Sequence, residues 1–120
     1  MMNLNQLHKD HLHWLGQIDF YQDEIKFFQK TLFTAILAED HSPITEEHIA
    51  EYRELFFLNL KRLDDLRHLI LRHEVMIKRE GRESFDNLHD HGHVAEQMSH
   101  VEKVFMELRI RFRAFASHHI

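Results

Sequence analysis

Three histidines, His11, His73 and His91, are the residues of this chain best placed to do chemistry, although they stand far apart in the sequence. A neutral imidazole offers one nitrogen lone pair to a cation. Three of them converging in apolar surroundings can hold a divalent ion and leave a position for water or another ligand. Zinc suits such a set, and imidazole also serves iron, copper and nickel. His8, one turn before His11, and Glu74, beside His73, are the auxiliary ligand candidates. A carboxylate on the flanks, from Asp10, Glu74 or Asp90, can complete the ligand set or orient a ligating ring. The competing expectation is plain. A chain with 13 His places some on an inner face by chance, and rings near a frayed helical end are simply solvated.

Whether the three rings can meet depends on the elements that carry them. Apolar residues recur at alternating steps of three and four along three stretches, the signature of amphipathic helices. Leu4, Leu7, Trp14, Ile18, Tyr21, Ile25, Phe28, Leu32 and Ala35 mark the first. Ile49, Tyr52, Phe56, Leu63, Leu66, Ile70 and Ile77 mark the second, and Val94, Met98, Val101, Phe105, Leu108, Phe112 and Phe115 the third. The predicted helices run over about 3–39, 44–80 and 85–118, as one helical-bundle domain covering 1–120. Asp40-His41-Ser42-Pro43 breaks the first from the second, with Ser42 as N-cap and Pro43 at the first helical position. Lys78 and Arg79 precede Gly81, a basic last turn before a C-terminal glycine. Ser84 or Asn87 caps the third helix, although Gly92 leaves a start near His93 open.

Both connections are short, which makes neighbouring helices antiparallel and the fold all-α, an up-down-up bundle of three long helices. With the turning points at 42 and 82, residues equidistant from 42 face each other across the first pair, and those equidistant from 82 across the second. The resulting levels are apolar: Trp14/Ile70/Val94, Ile18/Leu66/Met98, Tyr21/Leu63/Val101, Phe28/Phe56/Leu108, Leu32/Tyr52/Phe112 and Ala35/Ile49/Phe115. Two levels differ. Ile25/Asn59/Phe105 carries an amide of the kind that fixes register. The other is His11/His73/His91. Further apolar residues lie off the inner stripe, among them Leu12, Leu15, Phe20, Phe27, Phe33, Leu55, Phe57, Leu60, Leu69, Met106 and Ile110. Three helices cannot absorb them all, so a homodimer, with a helix supplied by the partner, is expected.

Composition sets the outer limits. The chain is 43% hydrophobic and 29% charged, with three Gly and one Pro, as befits a globular protein of few, long elements. Absence of cysteine rules out disulfides and thiolate zinc sites. No apolar run reaches membrane-spanning length and no secretory leader is visible, so a soluble, cytoplasmic protein is expected. A formal charge of -5 argues against nucleic acid as partner. Protonating all 13 His would carry that charge to +8, a change centred near pH 6.5 for unperturbed rings.

Other clusters carry less. His89, His93, Glu96 and His100 share one helical face and read as a solvated polar stripe. Glu39, Asp40, His41, His48, His118 and His119 gather at the far end as an exposed group suited to adventitious metal capture. Arg109, Arg111 and Arg113 alternate with apolar residues and bracket the core. No serine lies in a strained glycine-flanked turn and no phosphate-binding glycine loop occurs, so no catalytic residue is assigned and an enzyme is not the expectation. The inward Glu-x-x-His tetrad of ferritin-like di-iron proteins is missing. Of the histidine pairs of a hemerythrin-like domain, only His89/His93 has a counterpart.

Three functions fit these residues. The first is a non-enzymatic bundle acting through self-association or by docking a protein partner on its second apolar face. The second is a zinc- or iron-binding bundle built on His11, His73 and His91, with His8 or Glu74 as auxiliary ligand, for storage, sensing or simple hydrolysis. The third is a pH-responsive assembly whose histidine level splits on protonation.

Overall fold

The three-four alternation of apolar residues winds into three α-helices, α1 (Leu4–Leu37), α2 (Pro43–Glu80) and α3 (Phe85–His119). A computed structural model describes residues 3–38, 43–81 and 85–120 of the chain, with the side chains of 3–38, 45–81 and 90–120. No strand occurs among the described residues. Asn3 caps α1, its side-chain oxygen accepting from the Gln6 amide at 2.8 Å. Pro43 opens α2, where its missing N–H costs nothing. Gly81 ends α2 in the left-handed region at φ +66°, donating its N–H to the Ile77 carbonyl at 3.0 Å. Gly92 does not delay α3, which already runs from Phe85. The expected caps Ser42 and Ser84 lie outside the described residues, as does the side chain of Asn87.

The inner stripes form one continuous core from Ile18 through Phe115. Its densest part is aromatic. Phe112 of α3 lies 5.0 Å from Phe28, 5.1 Å from Phe56 and 5.3 Å from Tyr52, measured between ring centroids. Tyr21 stacks on Phe105 at 4.5 Å, and Tyr52 meets Phe115 at 5.1 Å. Charged residues flanking the stripes tie the helices together. Glu24 accepts from Arg113 at 3.3 Å and pairs with Arg109 at 3.5 Å. Arg111 reaches Glu51 at 3.0 Å, while Arg67 meets Asp19 and, at 2.9 Å, Gln22. The three arginines of α3 therefore bracket the core, as their spacing implies.

Two expectations are corrected. The amide of Asn59 donates to the Leu55 carbonyl of its own helix at 2.8 Å, a bond within α2 where one across the bundle was expected. The second apolar face is also smaller than the pattern suggests. Leu15, Leu55, Leu60 and Leu69 pack against the core's edge, because positions flanking the inner stripe still fall within reach of a neighbouring helix. Leu12, Phe20, Phe27, Phe33, Phe57, Met106 and Ile110 stay exposed.

The molecule is a rod of 60 × 19 × 17 Å. Its radius of gyration, 18.2 Å, exceeds the roughly 14 Å of a compact domain of this length. No helix, among the described residues, is long and apolar enough to cross a membrane.

Candidate metal centre

Each helix contributes one imidazole to a common level near one end of the rod. His11 sits on the inner stripe of α1 between Leu7 and Trp14, His73 on that of α2 between Ile70 and Ile77, and His91 one turn before Val94 on α3. Ring centroids are 4.9 Å apart for His11 and His73, 5.2 Å for His11 and His91, and 5.8 Å for His73 and His91. One ligand nitrogen from each ring lies within 4.8 Å of the other two. Burial decides between the two readings of these rings. His11 is 1% exposed, His91 3% and His73 4%, so they are not solvated groups at a frayed end. Trp14 forms a wall of the site, its ring 4.7 Å from that of His91 and 5.8 Å from that of His11.

The outer nitrogens are held by carboxylates. Glu74 uses one oxygen on His11 Nδ1 and the other on His8 Nδ1. Asp10 accepts from His91 Nε2 at 2.8 Å. An ionised carboxylate only accepts, so each of these ring nitrogens carries the proton and the opposite nitrogen carries the lone pair. Bare His11 Nε2 therefore accepts from His73 Nδ1 at 3.0 Å. The same assignment leaves His91 Nδ1 as a bare lone pair, and that atom is buried with no hydrogen-bond partner among the described residues. An unpaired buried acceptor costs about 1–3 kcal/mol unless something occupies it.

The ionisation states agree with this assignment. Burial pushes the His11 pKa below the ordinary 6.5, although its hydrogen bond to Glu74 works the other way. Burial alone would raise the Glu74 pKa, but hydrogen bonds from His11 and His8 outweigh it and hold the carboxyl below its usual 4.5. His11 is thus a neutral ring donating to a carboxylate anion. Protons should therefore weaken the fold. Below pH 6.5 the unfolded chain takes up a proton at position 11 that the buried ring resists, and below 4.5 it takes one at position 74. Asp10, His8, His73 and His91 face the same space. The expected result is a urea midpoint, measured in chelator, that falls from pH 7.5 to 5.5, at up to about 1.4 kcal/mol per pH unit for the buried ring of His11. An unchanged midpoint would contradict the assignment.

The donor set fits a divalent ion. A tetrahedral zinc with bonds of about 2.0–2.1 Å holds its ligand atoms roughly 3.3 Å apart. His11 Nε2 and His73 Nδ1 stand 3.0 Å apart across a shared proton that an ion binding both nitrogens would displace, and one ligand nitrogen of each ring lies within 4.8 Å of the other two. The auxiliary candidates are placed differently from the three rings. Glu74 is 14% exposed and has both oxygens engaged on histidines, with Lys78 Nζ 4.0 Å away. His8 is 44% exposed, on the outer side of Glu74. The orienting role of Asp10 on His91 was readable in the pattern, since Asp10 precedes an inner-stripe residue by one, as Glu24 does, and both reach α3.

Among the described residues the other clusters do not converge. His11, His73 and His91 form the only group able to hold an ion among the described residues. His93, Glu96 and His100 are exposed, and the side chain of His89 lies outside the described residues. At the far end His48 lies against Phe115 and His119, at 5.6 and 6.3 Å. Glu39, Asp40 and His41 of that expected group lie outside the described residues. Compared with protein-family models, curated proteins and solved structures, the chain shows no significant match to any. Function must therefore be read from the site itself.

Proposed function

We propose that this chain is an antiparallel, up-down-up bundle that binds one divalent metal ion, zinc or iron, on His11, His73 and His91. The observation that carries the reading is the buried Nδ1 of His91, which has no hydrogen-bond partner among the described residues, on a ring that shares its level with those of His11 and His73. His48 Nδ1 at the far end is likewise buried and unpaired among the described residues, but it belongs to no group of ligands, whereas His91 stands beside two further buried rings. Here the outer nitrogens of two rings are fixed by carboxylates, the arrangement that sets tautomer and orientation in metal sites. In this reading Glu74 and Asp10 orient ligands, and His8 steadies Glu74 from outside.

Binding, in a storage or sensing role, fits better than hydrolysis. Of the three flanking carboxylates, Glu74 and Asp10 are occupied on ring nitrogens, and Asp90 is exposed on the groove that His73 lines, so neither carboxylate held at the rings is available as a general base. The three ligands come from three helices, so an ion ties together chain ends that the unfolded state leaves apart. Its binding energy then adds to folding stability, which makes metal availability readable as order at this end of the rod.

Glu74→Gln separates orientation from ligation. The amide keeps the shape but ends the acceptor pair on His11 and His8, and affinity for zinc should fall about 10- to 100-fold with one-to-one stoichiometry retained. Titration of tag-free protein against a chromophoric zinc chelator measures this. Unchanged affinity would remove Glu74 from the site.

A further inference from the structure

The outer face of α1 carries a second stripe at alternating steps of four and three, opposite in character to the first. Leu12 and Gly16 open it, Asp19 and Asp23 follow, then come Lys26 and Lys30, and Phe33 and Leu37 close it. Every one of these residues is exposed, Leu12 at 58%, Phe33 at 57% and Leu37 at 67%. Such spacing is a helix-pairing seam, and nothing among the described residues covers it.

Its order specifies a partner. Reversed on itself about the point between positions 24 and 25, the seam sets Leu12 against Leu37, Gly16 against Phe33, Asp19 against Lys30 and Asp23 against Lys26. Each match occurs twice across a two-fold axis. A parallel pairing would instead set acid on acid and base on base in the four central levels. Among the described residues, Asp23, Lys26 and Lys30 make no ion pair within the chain, while Asp19 pairs with Arg67.

Gly16 gives a second, independent reason. A glycine inside a long helix weakens it relative to alanine. A Cβ at this position would meet nothing within 4 Å, so no contact of the chain's own requires its absence. Gly16 forms part of a groove between α1 and α3 that Leu12, Phe20 and Met106 also line. A bare backbone there is a seat for a large side chain from outside, and the reversed seam delivers Phe33 to it. Surface area permits the contact. The chain exposes 8201 Å², against roughly 6,900 Å² expected for a folded monomer of its mass. The surplus exceeds the ~800 Å² per partner that a stable interface covers.

We infer that two copies of this chain pair in opposite directions along the outer face of α1, with Phe33 of each seated over Gly16 of the other. This pairing is independent of the metal reading. Sedimentation of the full chain across low to high micromolar concentration tests it. The native protein should be a dimer, Asp23→Lys should raise the dissociation constant about tenfold, and Asp23→Lys/Lys26→Asp should restore it by exchanging the charges. Far-UV circular dichroism should be unchanged in both variants, whose side chains are exposed. The chain has no cysteine, so Leu12→Cys mixed with Leu37→Cys should cross-link under mild oxidation far more than either variant alone. A monomer at all concentrations, a dimer indifferent to Asp23→Lys, a double variant no tighter than the single one, or equal cross-linking of the separate cysteine variants would overturn the pairing.

Discussion

His73→Ala is expected to weaken zinc binding at least about a hundredfold, more than the loss of any orienting carboxylate. Removing one of three nitrogens leaves an ion only two protein ligands in a space that excludes most water, since all three rings are 4% exposed or less. The effect is visible without any assay of activity. An ion at 100 times its dissociation constant stabilises the folded state by about 2.7 kcal/mol. For 120 residues that corresponds to a rise of roughly 11 °C in Tm. Tag-free native protein should show this shift with zinc in a thermal melt, and His73→Ala should show no more than about 2 °C. His91→Leu is a useful companion, because it keeps volume and removes the unpaired Nδ1. It also ends the 2.8 Å bond to Asp10, so without metal the gain and the loss offset and it should melt close to the native chain, while zinc should leave it unmoved. A full zinc shift in either variant would contradict the site.

Phe112→Ala is expected to cost about 3–5 kcal/mol, or some 12–20 °C in Tm. Phe112 is 1% exposed and sits among Phe28, Tyr52, Phe56 and Phe115, one aromatic level drawn from all three helices. Truncation removes ring contacts to both other helices and leaves a cavity that long, stiff helices close poorly. Along α3 this level is about 32 Å from His91, so the two ends should behave additively. The zinc-induced stabilisation of Phe112→Ala should therefore equal that of the native chain at the same saturation, on a lower baseline. A loss below about 1 kcal/mol in chemical denaturation would show that this level is not the centre of the core.

Much of this was legible in the sequence because long helices with short connections leave few choices. The inner stripe follows from spacing alone, and the turning points follow from Pro43 and Gly81. Those two points align His11 with His73 and His91, and Phe28 with Phe56, pairs that the structure places side by side. Less legible was anything decided by side-chain reach. Asn59 looked like a cross-bundle amide, but a carbonyl one turn back on its own helix was nearer. Leu15, Leu55, Leu60 and Leu69 looked surplus, yet flanking positions in a slim bundle still touch the core. Glu74 was equally suited to ligating or orienting until both its oxygens were seen engaged on ring nitrogens. Ring tautomers follow from those partners, so the free lone pair of His91 could not have been read from spacing.

Crystals of tag-free protein grown with one equivalent of zinc, measured on both sides of the zinc absorption edge, test the central claim most directly. The expected result is a single strong anomalous peak within about 2.1 Å of a nitrogen from each of His11, His73 and His91. An empty space between those three rings, with zinc instead on exposed His93 or His100, would contradict it.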